Sequence, residues 1–176
     1  MSELAIKLAN MHDKEQIRAL MDLAIVELQR GYLTEAQIEA SFAGMGLDTQ
    51  LIKDNTYFCV WDGDILAGCG GWSYRSTLHG GDHSANRDIT PLDPETDRAR
   101  IRAMYTHPNY VKRGIGRMII KAAEDAARAR GFKALEMAAT IAGKPFYLKC
   151  GYTIESEWQD EHGSVPVPLL TMVKSI

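Results

Sequence analysis

The sequence predicts an α+β fold: one central mixed sheet, mostly antiparallel, with helices on both faces. The order of elements carries this prediction, since one strand, two helices and a β-hairpin precede a β-α-β-α-β-β run. Length supports it, because 176 residues with 45% hydrophobic content suit one core, so residues 1–176 are expected to form one domain. The chain lacks G-x-G-x-x-G and G-x-x-x-x-G-K-[ST], which argues against Rossmann and P-loop folds.

The first half of the chain is expected to form a strand at 4–9, two helices and a hairpin. Apolar residues three and four apart mark the first helix over 17–28. Thr34 and Gln37 have the spacing of a capping box, which predicts the start of the second helix. Strands at 56–61 and 65–74 follow, joined by a turn. Three glycines in the second of these strands predict a bulge or a close approach of another chain segment: Gly68, Gly70 and Gly71.

The second half alternates strands and helices after an irregular segment at 76–97. The predicted elements are a strand at 99–106, a helix from 115 to about 130, a strand at 134–139, a helix at 144–149 and strands at 153–159 and 167–173. Strict alternation in the 99–106 strand would place Arg102 and Met104 on one face, with Tyr105 on the other. Arg100 and Arg102 are expected to pair with carboxylates.

The turn between the 99–106 strand and the next helix is a candidate anion cradle. A helix N-terminus has unpaired N–H groups and a partial positive charge, so it suits phosphate. Gly114 and Gly116 let the backbone approach a ligand, and Lys112, Arg113 and Arg117 add positive charge. The segment therefore predicts a phosphate or pyrophosphate site. The alternative is an ordinary basic loop before a helix.

Composition limits the classes of partner. The net charge of −3 gives no general attraction to nucleic acid or to an anionic membrane, so neither is expected as a partner. No stretch approaches the roughly 20 apolar residues that span a bilayer. The N-terminus shows no signal-peptide pattern, and a cytoplasmic location is expected. Cys59 and Cys69 are expected to be core thiols rather than disulfide partners.

Two motifs resemble those of the GNAT (GCN5-related) N-acetyltransferase superfamily. Met104-Tyr-Thr-His-Pro108 leading into Arg113-Gly-Ile-Gly116 resembles the family's strand and [QR]-x-x-G-x-[GA] loop. Phe146-Tyr-Leu-Lys-Cys-Gly-Tyr152 is similar to its F-Y-x-x-x-G-[FY] segment. Either motif alone is weak, but both in this order, with a helix and a strand between them, are specific. The shared element order covers essentially the whole chain.

The resemblance implies an acetyl-CoA-dependent N-acetyltransferase that uses no metal. The implied cofactor-binding residues are the backbone that pairs with the pantetheine arm and the loop that holds the pyrophosphate: Met104, Tyr105, Thr106, Val111, Lys112, Arg113, Gly114, Ile115, Gly116 and Arg117. The implied catalytic residue is Tyr147, as the general acid for the leaving thiolate. The amine would attack directly in a ternary complex, without a nucleophilic cysteine.

The sequence departs from the family pattern at three positions. Val111 stands where Gln or Arg is common, and Thr140 stands where many relatives have asparagine. Many relatives carry a glutamate as general base near the start of the fourth strand, where this chain has Arg98-Ala-Arg-Ile-Arg102. The general base is therefore unassigned. This missing carboxylate keeps a second hypothesis open, a non-catalytic CoA-binding or sensing domain of the same fold. A structural or partner-binding domain with a basic loop is the third.

The irregular segment contains the spacing H-x-x-D-H at His79, Asp82 and His83. Three interpretations stay open for it: a metal site, a substrate or general-base role, and a solvated loop. Glycines between the two histidines argue against the helix that would align metal ligands.

The acceptor is expected to be an amine on a small molecule or peptide. Glu27 and Tyr32 fall where the family's acceptor site often lies, although both suit solvent-facing helix positions. Many relatives are homodimers, and the sequence does not decide between monomer and dimer.

Overall fold

The computed structural model describes residues 3–176 and contains a seven-stranded sheet in the order β1-β2-β3-β4-β5-β7-β6. The strands are β1 (Leu4–Leu8), β2 (Tyr57–Asp62), β3 (Ile65–Ser73), β4 (Ala99–Thr106), β5 (Ala134–Thr140), β6 (Thr153–Asp160) and β7 (Val167–Ser175). The helices are α1 (Lys14–Glu27), α2 (Glu35–Gly44), α3 (Thr49–Lys53), α4 (Ile115–Ala129) and α5 (Lys144–Lys149). Short 3₁₀ turns occupy Met11–Asp13 and Pro108–Tyr110.

Helices cover both faces of the sheet. Ile17 and Met21 of α1 pack in a core on one face, and Ala123 and Ala127 of α4 pack in a core on the other. The small side chains of α4 let the helix lie close to the strands. All neighbouring strands are antiparallel except β4 and β5, which are parallel. The predicted mixed, mostly antiparallel sheet is confirmed.

The segment before the hairpin contains one helix more than predicted. The predicted capping box of α2 is confirmed, since Thr34 and Gln37 exchange hydrogen bonds of 3.0 and 3.2 Å. The unpredicted helix is α3, which begins where the side chain of Asp48 accepts a 3.0 Å hydrogen bond from the Gln50 backbone. Five residues are too few to show a helical period in the sequence.

The glycines of β3 have no room for a side chain. A Cβ on Gly68 would lie 2.4 Å from Cγ2 of Ile115, and one on Gly71 would lie 2.1 Å from the Thr56 carbonyl oxygen. The β3–β4 register shifts between Cys69 and Gly71. The predicted bulge and close approach are both present, and they seat the first turn of α4 directly on β3.

The same register shift inserts an extra residue into β4, at Ala103, whose φ is +50°. The buried Tyr57 hydroxyl supports this bulge by donating a 2.7 Å hydrogen bond to the Ala103 carbonyl. Arg102 consequently contacts the loop on the α1 side, whereas Met104 packs in the α4 core. The prediction that Arg102 and Met104 share a face is wrong, because a bulge interrupts the alternation of a strand.

Cys59 and Cys69 lie in the core as free thiols, and burial raises the pKa of both. Across residues 3–176, no helix combines the length and the apolar character needed to cross a bilayer.

Candidate active site

A gap opens between β4 and β5 in the middle of the sheet. The two strands pair only at Ala99 with Leu135 and at Arg100 with Glu136, while β5 pairs with β7 along its whole length. An ion pair between Arg100 and Glu136 holds the closed end, and it confirms the predicted carboxylate partner of Arg100. Beyond this point, no strand among residues 3–176 pairs with β4 on its β5 side. Its backbone is therefore free to hydrogen bond with an extended ligand.

The N-terminus of α4 lies past the open end of this gap, and no side chain of the described residues caps it. Gly114 is the N-cap residue and has a φ of +83°, and Lys112 also has a positive φ of +62°. The first turns of α2 and α3, by contrast, are capped by Thr34 and Asp48. The unpaired N–H groups of α4 are thus available to an anion.

The basic side chains at this N-terminus differ in their surroundings. The Arg113 guanidinium lies 4.6 Å from the centre of the Tyr110 ring and 4.0 Å from the Asp62 carboxylate. Lys112 and Arg117 are exposed and form no ion pair within the described residues. Their charges are therefore the more available to a ligand.

The two sequence motifs contact each other in the fold. A Cβ on Gly116 would lie 2.7 Å from the edge of the Phe146 ring, so the glycine lets the first turn of α4 pack against α5. The Phe146 ring lies 5.2 Å from the Tyr147 ring, measured between centroids. Position 116 requires glycine because a side chain there would collide with Phe146. Position 114 has open space around it and favours glycine because its φ is positive.

One groove of about 800 Å³ connects the α4 N-terminus with Tyr147. Nine of the ten residues predicted to bind the cofactor line it: Met104, Tyr105, Thr106, Val111, Lys112, Gly114, Ile115, Gly116 and Arg117. Arg113 does not line the groove. Glu27 and Tyr32, at the end of α1 and just beyond it, do line it, with Glu27 paired to Arg30 at 2.9 Å.

Tyr147 lies where this groove approaches a second, smaller cavity of about 70 Å³, and it lines both. Its side chain is almost fully buried, and burial raises the pKa of its hydroxyl. The hydroxyl has no hydrogen-bond partner within residues 3–176. Tyr147 therefore keeps its proton at neutral pH and has it free to donate. Thr140 also lines both cavities, and its hydroxyl accepts a 3.0 Å hydrogen bond from the Gly143 backbone.

A family model described as "Acetyltransferase (GNAT) family" matches residues 17–152. The chain belongs to the GNAT acetyltransferase family. The predicted family, and with it the GNAT-like fold, is confirmed.

Individual relatives of this GNAT chain are distant. An uncharacterized N-acetyltransferase of Bacillus subtilis, YsnE, is 24% identical over 97 residues, which are 55% of this chain and about half (52%) of that protein. A GCN5-related N-acetyltransferase structure from Rhodopseudomonas palustris matches with a TM-score of 0.74 and 22% identity, covering 100% of this chain and 98% of that one. The PaiA N-acetyltransferase of Thermoplasma acidophilum, solved with coenzyme A, matches at 0.67 and 14%, covering 99% of each. At 22% and 14% identity, these two matches show that the chain shares their fold.

The 76–97 loop of this GNAT chain is anchored to the sheet by Arg102. The guanidinium donates hydrogen bonds to the carbonyls of Thr77 and Gly80, at 3.2 and 2.8 Å, and to the Asp48 carboxylate at 3.1 Å. Arg87, from the same loop, also pairs with Asp48. The predicted carboxylate partner of Arg102 is thus confirmed, and the buried pair fixes the part of the loop that reaches the smaller cavity.

The three residues of the H-x-x-D-H spacing have three separate partners. His79 contacts Asp160, Asp82 accepts hydrogen bonds from Thr49, and Nε2 of His83 lies 3.0 Å from the Ala43 carbonyl oxygen. Across residues 3–176, no three His, Cys, Asp or Glu side chains form a group that could hold a metal ion. The metal interpretation therefore has no ligand set among the described residues. His79 lines the smaller cavity, which the sequence spacing alone did not indicate.

Replacing Arg102 by methionine is expected to lower the free energy of unfolding by about 3 kcal/mol, because Asp48 would stay buried with one of its two arginine partners removed. The released loop should be cut faster by proteases within 76–97. Urea unfolding and limited proteolysis measure the two effects. Arg98→Met is the matched control, because the Arg98–Glu155 pair is well exposed and should be worth less than about 1 kcal/mol. Equal stability of the two variants would contradict the anchoring role.

Proposed function

We propose that this protein is an N-acetyltransferase that transfers the acetyl group of acetyl-CoA to a primary amine of a small-molecule or peptide acceptor. The observation that carries the proposal is the continuous groove from the uncapped α4 N-terminus, along the unpaired edge of β4, to Tyr147. Its volume of about 800 Å³ suits a ligand of cofactor size. The coenzyme A complex of the similarly folded T. acidophilum enzyme supports the choice of cosubstrate.

Each part of the groove has a task in this proposal. Backbone N–H groups of residues 111–116 receive the pyrophosphate, and Lys112 and Arg117 add charge-assisted contacts. The free edge of β4 at Met104–Thr106 pairs with the pantetheine arm and orients the acetyl carbonyl. The Tyr147 hydroxyl gives its proton to the thiolate as the carbon–sulfur bond breaks. The amine attacks the acetyl carbon directly while both substrates are bound.

A non-catalytic CoA-binding domain is the second candidate. The start of β4 carries arginines in place of the family's carboxylate, and Arg98, Arg100 and Arg102 are all engaged with carboxylates. This candidate predicts binding without turnover.

Titration calorimetry with acetyl-CoA, followed by a thiol-release assay, separates these functions. The assay uses spermidine, a peptide with a free N-terminal alanine, and an Nα-blocked lysine peptide as amines. The proposal predicts saturable acetyl-CoA binding and amine-dependent release of CoA thiol. Binding without release from any amine would favour the non-catalytic domain. No heat at millimolar acetyl-CoA would contradict both CoA-based functions.

A further inference from the structure

The smaller cavity is lined by a partly buried histidine as well as by Tyr147. Its lining includes His79 from the 76–97 loop, Arg102 and Tyr105 from β4, and Thr140 and Tyr147 from the far side of the gap. It shares five lining residues with the large groove: Met45, Met104, Tyr105, Thr140 and Tyr147. A group in this cavity is therefore well placed to meet an acceptor that approaches the end of the cofactor groove.

His79 is held by Asp160, an aspartate 81 residues further along the chain. Its Nε2 atom lies 3.2 Å from Oδ2 of Asp160, the last residue of β6. The side chain of Asp160 is 3% exposed and that of His79 is 18% exposed. The other oxygen, Oδ1, accepts a 3.1 Å hydrogen bond from the His162 backbone and contacts the His162 ring. The aspartate thus contacts both histidines at once.

This contact determines which nitrogen of His79 carries the proton. A carboxylate accepts a hydrogen bond, so Nε2 of the neutral ring must be the N–H donor. Nδ1 then keeps its lone pair, and no hydrogen bond within residues 3–176 occupies it. The arrangement has the logic of a base oriented by a carboxylate, as in a catalytic triad.

Gly44, the last residue of α2, packs directly against His79 and Asp160. A Cβ on Gly44 would lie 2.0 Å from Oδ2 of Asp160 and 2.6 Å from Nε2 of His79. Gly44 does not have a positive φ, so backbone conformation does not explain the glycine. Its absent side chain makes room for the histidine–aspartate contact.

We propose that His79, oriented by Asp160, is the general base that takes the proton from the acceptor amine. This assignment rests on the proposed acetyltransferase function. The amine nitrogen bonds to the acetyl carbon, the carbon–sulfur bond breaks, and the amine proton passes to Nδ1 of His79. The thiolate takes the Tyr147 proton, and solvent returns the proton from His79 to Tyr147. His79 thereby fills the role for which β4 offers no carboxylate.

Burial is the main reason that His79 favours its neutral form. Burial lowers the pKa of His79, and Arg102 and His162 lower it further, whereas Asp160 opposes them. Burial would raise the pKa of Asp160, but hydrogen bonds from His162 and His79 outweigh it and the pKa falls. At neutral pH the pair is therefore an uncharged imidazole beside a carboxylate. A base with a lowered pKa loses activity only below the usual histidine value of about 6.5.

The test compares His79→Gln with His83→Gln, a control histidine in the same loop that contacts the Ala43 carbonyl and lines neither cavity. With the most active amine of the panel at saturation, His79→Gln should lower kcat about 100-fold and abolish the acidic limb of the kcat–pH profile. The KM for acetyl-CoA and the melting temperature should stay at wild-type values. His83→Gln should keep both kcat and the pH profile.

Asp160→Asn gives a separate readout of the positioning role. Because the carboxylate raises the pKa of His79, its removal should move the acidic limb to lower pH, together with a fall in kcat. A merely structural effect of the substitution would leave the limb in place.

The outcomes distinguish this assignment from the proposed function. If wild-type protein is active and His79→Gln retains its kcat and pH profile, the base assignment fails and the acetyltransferase function stands. If His79→Gln loses acetyl-CoA binding and stability together with kcat, His79 is structural and the assignment also fails. If wild-type protein turns over no amine, the proposed function fails first and the base assignment is overturned with it.

Discussion

Tyr147→Phe is expected to lower kcat for amine acetylation about 100-fold or more, with acetyl-CoA affinity unchanged. The substitution removes one hydroxyl and keeps the ring, so the contacts with Phe146 and Tyr152 should survive. The hydroxyl has no hydrogen-bond partner within residues 3–176. Its loss should therefore leave the free energy of unfolding unchanged. Only the transfer of a proton to the departing thiolate should suffer. Steady-state kinetics and calorimetry measure the two quantities separately.

The control for this substitution is Tyr152→Phe. Tyr152 is also buried, and its ring centroid lies 6.2 Å from that of Tyr147, but its hydroxyl donates a 3.1 Å hydrogen bond to Glu124 and lines neither cavity. Tyr152→Phe should reduce stability by about 1 kcal/mol and leave kcat within a few-fold of wild type. A Tyr147→Phe enzyme with wild-type kcat across the pH range would exclude Tyr147 as the general acid.

Gly114→Glu is expected to weaken acetyl-CoA binding by about 30-fold, or ~2 kcal/mol. The space around Gly114 is open, so the new carboxylate can reach the free N–H groups of α4 and occupy the place of the pyrophosphate. It also repels the phosphates. Calorimetric titration gives the dissociation constant directly.

Gly114→Gln is the matched control, because it places a neutral side chain of the same shape on the same backbone. Both variants carry the strain of a side chain at a φ of +83°, which cancels in the comparison. The glutamate variant should bind acetyl-CoA far more weakly than the glutamine variant. Equal dissociation constants would show that the α4 N-terminus does not hold the anion. Gly116 is unsuitable for this test, since any side chain there collides with Phe146.

Local sequence patterns were enough to mark the two segments that the structure brings together along one groove. The cradle at 111–117 and the segment around Tyr147 are each contiguous, and their physical signals are a helix start, paired glycines and a matched motif. The structure adds the reason they belong together, which is the contact of Gly116 with Phe146. The order of strands and helices predicted the sheet because the strands and the longer helices each show their own period, which the five-residue α3 does not.

Features formed by distant residues were not predictable. The sequence showed no link between His79 and Asp160, which are 81 residues apart and meet only after the 76–97 loop folds over β4. The neighbouring sequence does not explain why position 44 is glycine. The explanation is the Asp160 side chain, which leaves no room for a Cβ there. The bulge at Ala103 reversed the expected faces of β4, because one inserted residue changes the direction of every side chain that follows.

The position of bound acetyl-CoA is the most direct test of the proposed site. A crystal structure of the complex should show the pyrophosphate against the backbone N–H groups of residues 111–116 and the pantetheine arm along Met104–Thr106. The thioester sulfur should lie within hydrogen-bonding distance of the Tyr147 hydroxyl. A cofactor bound outside the β4–β5 gap, or a thioester remote from Tyr147, would contradict the proposed site and its chemistry.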